Sequence, residues 1–348
     1  MTVHIGLGLF TGQIPPGSDR TFADEYHDVV QLSVLAETLG FDSVWVSEHH
    51  GAGDGYLPSL LPLLAGIATA TDRVGLGTGV MLAPFHDPLR LAEDAAVVDL
   101  LSRGRLILGL GLGWREEEFR MFGVPVRERV PRTIDTVEVL RKAWTAERFT
   151  HEGRVLSYDD VLVTPAPFRE GGREGGPPIY LGGTIEAAVR RAGRHGDGYI
   201  ATRTSLDKAQ RALGWAEEAA RDAGKDPAAF GFALLQNTFV WEDGDAWEVV
   251  RAGAAHQLGV YPAWGQGSDS PGRPFEVTPV DDDTLRHVTP AGDRHEVIKA
   301  LRPIVEAFAH REEFHLVVRL HYPGMPFETA SRALELFGEH VLPALKGS

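Results

Sequence analysis

The chain has 348 residues, 43% hydrophobic and 24% charged, with no cysteine and a formal net charge of −15. That size and composition suit a globular protein with a core of its own, and they exclude disulfides, thiolate metal sites and a cysteine nucleophile. The acidic balance repels phosphate backbones and anionic lipid, so neither nucleic acid nor membrane is an expected partner. The opening residues MTVHIGLGLF carry no basic leader and no apolar run reaches the length of a bilayer span, so a cytoplasmic location is expected.

Short apolar runs alternate with helical patterns along the chain. HIGLGLF (4–10) precedes a helix with Val29, Leu32, Leu35, Ala36 and Leu39 on one face. SVWVSEH (43–49) precedes a helix over 59–71, VGLGTGVML (74–82) one over 87–104, and RLILGLGLG (105–113) one over 131–145. PIYLGGT (178–184) precedes 185–196, GYIATR (198–203) precedes 206–224, FGFALLQNTFVWE (230–242) precedes 245–259, and FHLVVRLHYPG (314–324) precedes 328–345. The strands are apolar throughout rather than alternating, as expected of parallel strands covered on both faces. Eight such units predict an α/β protein with a (β/α)8 TIM-barrel fold, a single domain over 1–348; an open doubly wound sheet is the competing architecture. Two segments stand outside the repeat. Residues 148–177 read as an insertion after the fourth strand. Residues 262–290, rich in Gly, Pro, Ser and Asp, read as a long mobile segment after the seventh strand, either a lid or a disordered insertion.

The glycines of GLGTGV (75–80) and GLGLGW (109–114) do not make a dinucleotide fingerprint, because Val80 and Trp114 stand where the third glycine is needed. Small residues on two adjacent strands instead allow a close approach at the barrel mouth, by a side chain or by a flat ligand. Gly182-Gly183-Thr184 ends a strand just before a helix, which makes either an anion site or a tight turn.

WVSEHH (45–50) closes the second strand. Strand alternation puts Glu48 and His50 on one side and His49 on the other. Adjacent histidines cannot chelate one metal from a strand, and neither HxH nor HExxH occurs, so no metal site is expected. The histidines either serve the chemistry of the mouth or satisfy polar groups at its rim.

WVSEHH, the run GTGVMLAPFHDPLRLAEDAAVVDLLSRGRLILGLGLGW, and PIYLGGT with RRAGRHGDGY together resemble the bacterial luciferase-like, flavin-dependent monooxygenases over nearly the whole chain. The resemblance implies a reduced flavin at the C-terminal barrel mouth, with a non-prolyl cis peptide at Gly79–Val80 against its ring. It implies further cofactor contacts from Gly111, Leu112, Gly113 and Trp114, and phosphate contacts from Gly182, Gly183, Thr184 and Ile185. The family's strand-4 arginine is replaced by Leu112, with Arg115 three residues on, so a different base is expected at the phosphate. His49 matches the family's catalytic base and Glu48 the acid beside it. Phe10, His50, Arg203 and His321 are expected around the substrate, the last two holding a polar or anionic group. The function implied is oxidation of a small, aldehyde-like substrate by O2 through a peroxyflavin, with FMN reduced by a partner flavin reductase, in a homodimer. The alternatives are hydride transfer by the deazaflavin coenzyme F420 (F-420) and flavin binding without catalysis.

Overall fold

Strand β1 (His4–Phe10) is followed by helix α1 (Phe22–Leu39), β2 (Ser43–Val46), α2 (Leu60–Ala70), β3 (Gly75–Thr78), β4 (Met81–Leu82), α3 (Pro88–Leu101) and β5 (Leu106–Gly111). The computed structural model describes residues 3–169, 175–202, 204–267, 273 and 275–347. Next come α4 (Glu116–Met121), α5 (Arg129–Ala143), the hairpin strands β6 (Phe149–Glu152) and β7 (Ser157–Val161), β8 (Ile179–Gly182), α6 (Glu186–His195), β9 (Gly198–Thr202) and α7 (Leu206–Asp222). The chain ends with β10 (Gly231–Asn237), β11 (Phe239–Val240), α8 (Ala246–Gly265), α9 (Asp282–Val288), β12 (Ala291–Gly292), α10 (Arg294–Phe308), β13 (Phe314–Arg319), α11 (Phe327–Leu336) and α12 (Leu342–Lys346).

All the main pairings are parallel, in the order β3-β2-β1-β13-β10-β9-β8-β5, and β5 pairs back to β3. The sheet therefore closes as an eight-stranded barrel, which leaves no unpaired edge. β4 continues the path of β3 beyond the cis peptide Gly79–Val80 and pairs with β5. A second non-prolyl cis peptide joins Gly8 and Leu9 in β1.

Strand residues such as Ile5, Leu7, Val44 and Leu108 point outward and are fully buried under the helices. Trp45, Tyr180, Ile200, Ala233, Leu235 and Val317 fill the interior, so the barrel is a packed core and not a pore. Room for Tyr180 comes from its neighbours: a Cβ on Gly231 would lie 1.8 Å from its hydroxyl and one on Gly198 2.6 Å from its ring. Three helices start on sequence-encoded caps, with Thr21 and Asp293 forming capping boxes and Asp87 capping α3 ahead of Pro88.

The described residues of 148–177 include the antiparallel hairpin β6–β7. Asp135 of α5 pins it by accepting the amides of Arg154, Val155 and Leu156 at 2.8–3.1 Å. Part of 262–290 departs from the expectation of a mobile segment. Residues 262–265 complete α8, because Val260, Ala263 and Trp264 keep its apolar face buried; 282–288 form α9, and 268–272 and 274 lie outside the described residues. The span 291–313, unassigned by the eight-unit pattern, holds β12 and α10, whose Val297, Leu301, Val305 and Phe308 pack on the core. Among the described residues no helix is long and apolar enough to cross a membrane.

Candidate active site

The chain after β2 leaves the barrel with Ser47, Glu48, His49 and His50, all buried. As strand alternation predicts, Glu48 and His50 face the same way. The Nε2 atoms of His50 and His86 lie 2.5 and 3.1 Å from Glu48 Oε1, and the Leu82 amide donates to Oε2 at 3.1 Å. Burial raises the carboxyl pKa, but hydrogen bonds from the two imidazoles outweigh it and hold Glu48 at about 2. A carboxylate only accepts, so each imidazole donates to it. Glu48 thus ties the end of β2 to the chain beyond the cis peptide.

His49 faces the other way. Its partner is not Glu48 but Glu118 of α4: Nδ1 lies 2.8 Å from Glu118 Oε1, which also accepts the His50 amide at 2.9 Å. With Nδ1–H donated to that oxygen, the lone pair falls on Nε2. The ring is set among aromatics, with Trp264 and Tyr56 at 4.8 and 4.9 Å between centroids, Tyr261 at 5.8 Å and Trp114 at 6.3 Å. Burial, with Tyr261 alongside, holds the Tyr56 phenol well above its usual pKa, and its hydroxyl donates to Ser47 Oγ at 3.1 Å.

A cavity of about 480 Å³ opens at this end of the barrel, within the range of small-molecule and cofactor sites. One wall is apolar, from Leu9, Val80, Ile200 and Leu235 with Gly79 and Gly111. A Cβ on Gly111 would lie 2.5 Å from Val80 Cγ2, and one on Gly182 3.0 Å from Val80 Cγ1, so these glycines are the space that Val80 occupies. Gly182, Gly183, Thr184 and Ile185 line the far end. Ile185, the N-cap of α6, gives no side-chain cap, which leaves the first-turn amides available to an anion. Arg129 lines the same cavity, and burial together with Arg129 and Arg194 lowers the pKa of Arg191 of α6. Gln236, Asn237, Gln257 and Arg319 make a polar wall.

The structure thus gathers Glu48, His49, Gly79, Val80, Gly111, Leu112, Gly113, Trp114 and Gly182–Ile185 around one cavity. Phe10, His50 and His321, expected around the substrate, are not among the residues that line it. Phe10 is fully buried behind the wall, its ring 5.8 Å from that of His321. His321 lies 3.8 Å from the buried Glu25, and burial, helped by Arg319 and Arg20, lowers its pKa to about 3. His50 is engaged with Glu48 and packs its ring 4.6 Å from Phe122. Arg203 lies outside the described residues. Arg115 turns inward, donating to the His50 carbonyl at 2.7 Å with its guanidinium 4.6 Å from the Trp264 ring centre, whereas Arg129 lines the cavity. Of the site residues that were not foreseen, three are instructive. Arg319 was legible as a charge inside an apolar strand, and Tyr261 as part of a helix extended past residue 259. Glu118 was hidden among three consecutive glutamates.

A closed barrel whose glycine-lined mouth holds a carboxylate-bound histidine and an anion-binding helix start has the parts of a flavin- or deazaflavin-using oxidoreductase. The chain matches the luciferase-like monooxygenase family over residues 5–311 and belongs to it. It is 29% identical to the F420-dependent glucose-6-phosphate dehydrogenase of Amycolatopsis mediterranei (strain U-32), over 92% of this chain and 94% of that protein. The crystal structure of the monooxygenase RslO1 from Streptomyces bottropensis is similar with a TM-score of 0.81 and 27% identity, over 99% of each chain. The oxygenating constituent of 3,6-diketocamphane monooxygenase from Pseudomonas putida, solved with FMN, has the same fold, with a TM-score of 0.76 and 20% identity over 99% of this chain and 98% of that one. An F420-dependent enzyme is thus among its relatives, and a protein solved with FMN shares its fold.

Proposed function

We propose that the protein is an F420-dependent oxidoreductase that interconverts an alcohol and a carbonyl compound. The observation that carries this reading is the His49–Glu118 pair, which presents a basic Nε2 to the cavity. The deazaflavin, when bound, accepts or returns a hydride. His49 takes the hydroxyl proton as the carbonyl forms and gives it back in reverse, while Glu118 keeps the imidazole in the right tautomer. The ring would be held by Gly79, Val80 and Gly111, and the phosphate by Gly183, Thr184, Ile185 and Arg129. A monooxygenase would also use a base at this position, so the choice between this reading and the monooxygenase that the sequence resemblance implies rests on the cofactor.

Support for F420 over FMN comes from Arg129, Arg191 and Arg194. Arg129 lines the cavity, and burial first, then the charges of Arg129 and Arg194, lower the pKa of Arg191. A cofactor with a polyanionic tail beyond its phosphate relieves that repulsion. Titration of the protein with F420 and FMN is expected to give at least tenfold tighter binding of F420. In Arg191→Ala the F420 affinity should fall about tenfold and its salt dependence should flatten. Equal or tighter binding of FMN overturns the choice of cofactor.

The likeness to RslO1 over the full chain favours one second reading: a monooxygenase supplied with reduced FMN by a flavin reductase. Substrate-dependent oxygen uptake in a reductase-coupled assay is its test. We further propose a homodimer through α3, which exposes the large apolar side chains Val97, Leu100 and Leu101 on one stretch. Sedimentation should show a dimer that Leu101→Glu converts to monomer; a wild-type monomer refutes it.

A further inference from the structure

The apolar interior of the barrel ends, at the mouth, on a charged residue. Leu235 and Val317 are partners across β10 and β13 and belong to the packed interior. Two residues on, strand alternation turns Asn237 and Arg319 to the same inward side, where they are again partners in register and line the cavity. Arg319 is 3% exposed, and a guanidinium at that depth suits a ligand that brings negative charge to it. The groups around it feel its charge. Burial and then Arg319 lower the pKa of His321 to about 3, and Arg319 draws back a Tyr56 phenol that burial raises. Tyr56 puts this charge on the His49 side of the site: its ring packs edge-on to His49 at 4.9 Å, and its hydroxyl donates to Ser47 of the cavity wall.

Gln257 of α8 adds donors to the same wall. Its Oε1 accepts from Asn237 Nδ2 at 3.4 Å, which leaves the Gln257 amide hydrogens to the cavity it lines. Among the described residues the only carboxylate on the cavity is Glu48, which two imidazoles already hold. The other cation of the cavity, Arg129, is across the mouth. It donates to the Gly113 carbonyl just beyond β5, and β5 stands four strands from β13 in either direction around the barrel. A phosphate held at Arg129 and the start of α6 therefore does not reach Arg319. The strand β2, beyond whose end His49 lies, is midway between the two cations.

We propose that Arg319, assisted by Gln257, binds a carboxylate on the substrate, so that the protein acts on hydroxy acids and the matching oxo acids. The proposal rests on the alcohol–carbonyl reading given above. The carbinol hydrogen leaves as hydride to the cofactor, the hydroxyl proton goes to His49, and the carboxylate stays unchanged on Arg319. The planar guanidinium fork meets a carboxylate with two parallel hydrogen bonds. A phosphate dianion is less well matched, because among the described residues Arg319 is the one cation on this side of the cavity.

The test titrates 3-hydroxybutanoate, 4-hydroxypentanoate and 5-hydroxyhexanoate, each against its neutral methyl amide, into the cofactor-loaded protein, with calorimetry as the readout alongside turnover. The three lengths bracket the span from carboxylate to carbinol. At least one acid is expected to bind at least tenfold more tightly than its amide. Arg319→Gln should bring that pair within about twofold, and Arg319→Lys should retain part of the preference. Gln257→Leu, which removes donors but no charge, should weaken acid binding severalfold. Cofactor affinity is expected to stay within about twofold in all three variants. No acid preferred over its amide, or a preference unchanged in Arg319→Gln, overturns the proposal. So does a tenfold loss of cofactor affinity in Arg319→Gln, since the charge would then belong to the cofactor. Tighter binding of 4-hydroxypentyl phosphate than of every acid reassigns the wall to phosphate and overturns the carboxylate. Hydride transfer with no charge preference keeps the alcohol–carbonyl reading and sinks the proposal. Charge-dependent binding without hydride transfer supports the carboxylate site and sinks that reading.

Discussion

Replacing His49 with alanine is expected to lower kcat by about 10²- to 10⁴-fold, the usual contribution of a positioned general base, with cofactor affinity within about twofold of wild type. The sharper experiment is Glu118→Gln, for which a loss of about 10²-fold is expected. Glutamine is nearly isosteric, and its amide oxygen can still accept the His50 amide that Glu118 Oε1 accepts at 2.9 Å, so the segment stays folded. That same oxygen position lies 2.8 Å from His49 Nδ1, so the glutamine oxygen keeps both hydrogen bonds and the Nδ1–H tautomer. What is lost is the negative charge that stabilises the imidazolium formed as His49 takes the proton. Cofactor affinity and urea unfolding of the variant should match the wild type, which separates the loss from a packing defect. Wild-type turnover in Glu118→Gln removes the proton relay from the mechanism.

The barrel was legible because its period is carried by many residues: eight strand–helix repeats with continuous apolar strands leave few ways to close a sheet. Departures lie where one residue works against a local pattern. Pro262 and Pro303 sit inside helices α8 and α10, and a proline usually marks an end. Reading a break near the first hid Tyr261 from the site; α10 went unread although its capping box at Asp293 is plain in the sequence. The polarity of the EHH triplet was legible from alternation, which correctly separates His49 from Glu48 and His50. The partner of His49 was not, because Glu118 reaches it across 69 residues of chain and nothing local distinguishes it from Glu116 and Glu117. The buried Phe10 and His321 show the opposite error: both stand at strand ends on the active face, yet packing turns them behind the wall, where His321 meets Glu25. Position along a strand told which residues reach the mouth, and only side-chain packing told which of them face the cavity.

The remaining large effect concerns stability. Glu48→Ala is expected to destabilise the fold by about 3–5 kcal/mol, the cost of removing one partner from a buried charged cluster. The Leu82 amide and the donors of His50 and His86 would be left facing a void. The pH dependence follows from the same contacts. Glu48 is held at about 2 against an ordinary value of 4.5, so its folded pKa is depressed and the unfolded chain binds the proton more readily. The associated stability is present in full above pH 4.5 and drains away as the pH falls toward 2. At about 1.4 kcal/mol for each tenfold change in proton affinity it amounts to roughly 3 kcal/mol, with no discount for solvent because the side chain is almost wholly buried. Many other carboxylates titrate over that range, so the decisive quantity is the difference between wild type and Glu48→Gln. Urea unfolding at pH 6, 4.5 and 3 should show the two proteins converging as the pH falls, because protonation of Glu48 brings the wild type to the state the glutamine mimics. A constant gap across the three values would mean that the imidazole donors do not hold the carboxylate in its charged form. The segment from Leu82 to His86 would then owe its position to packing alone.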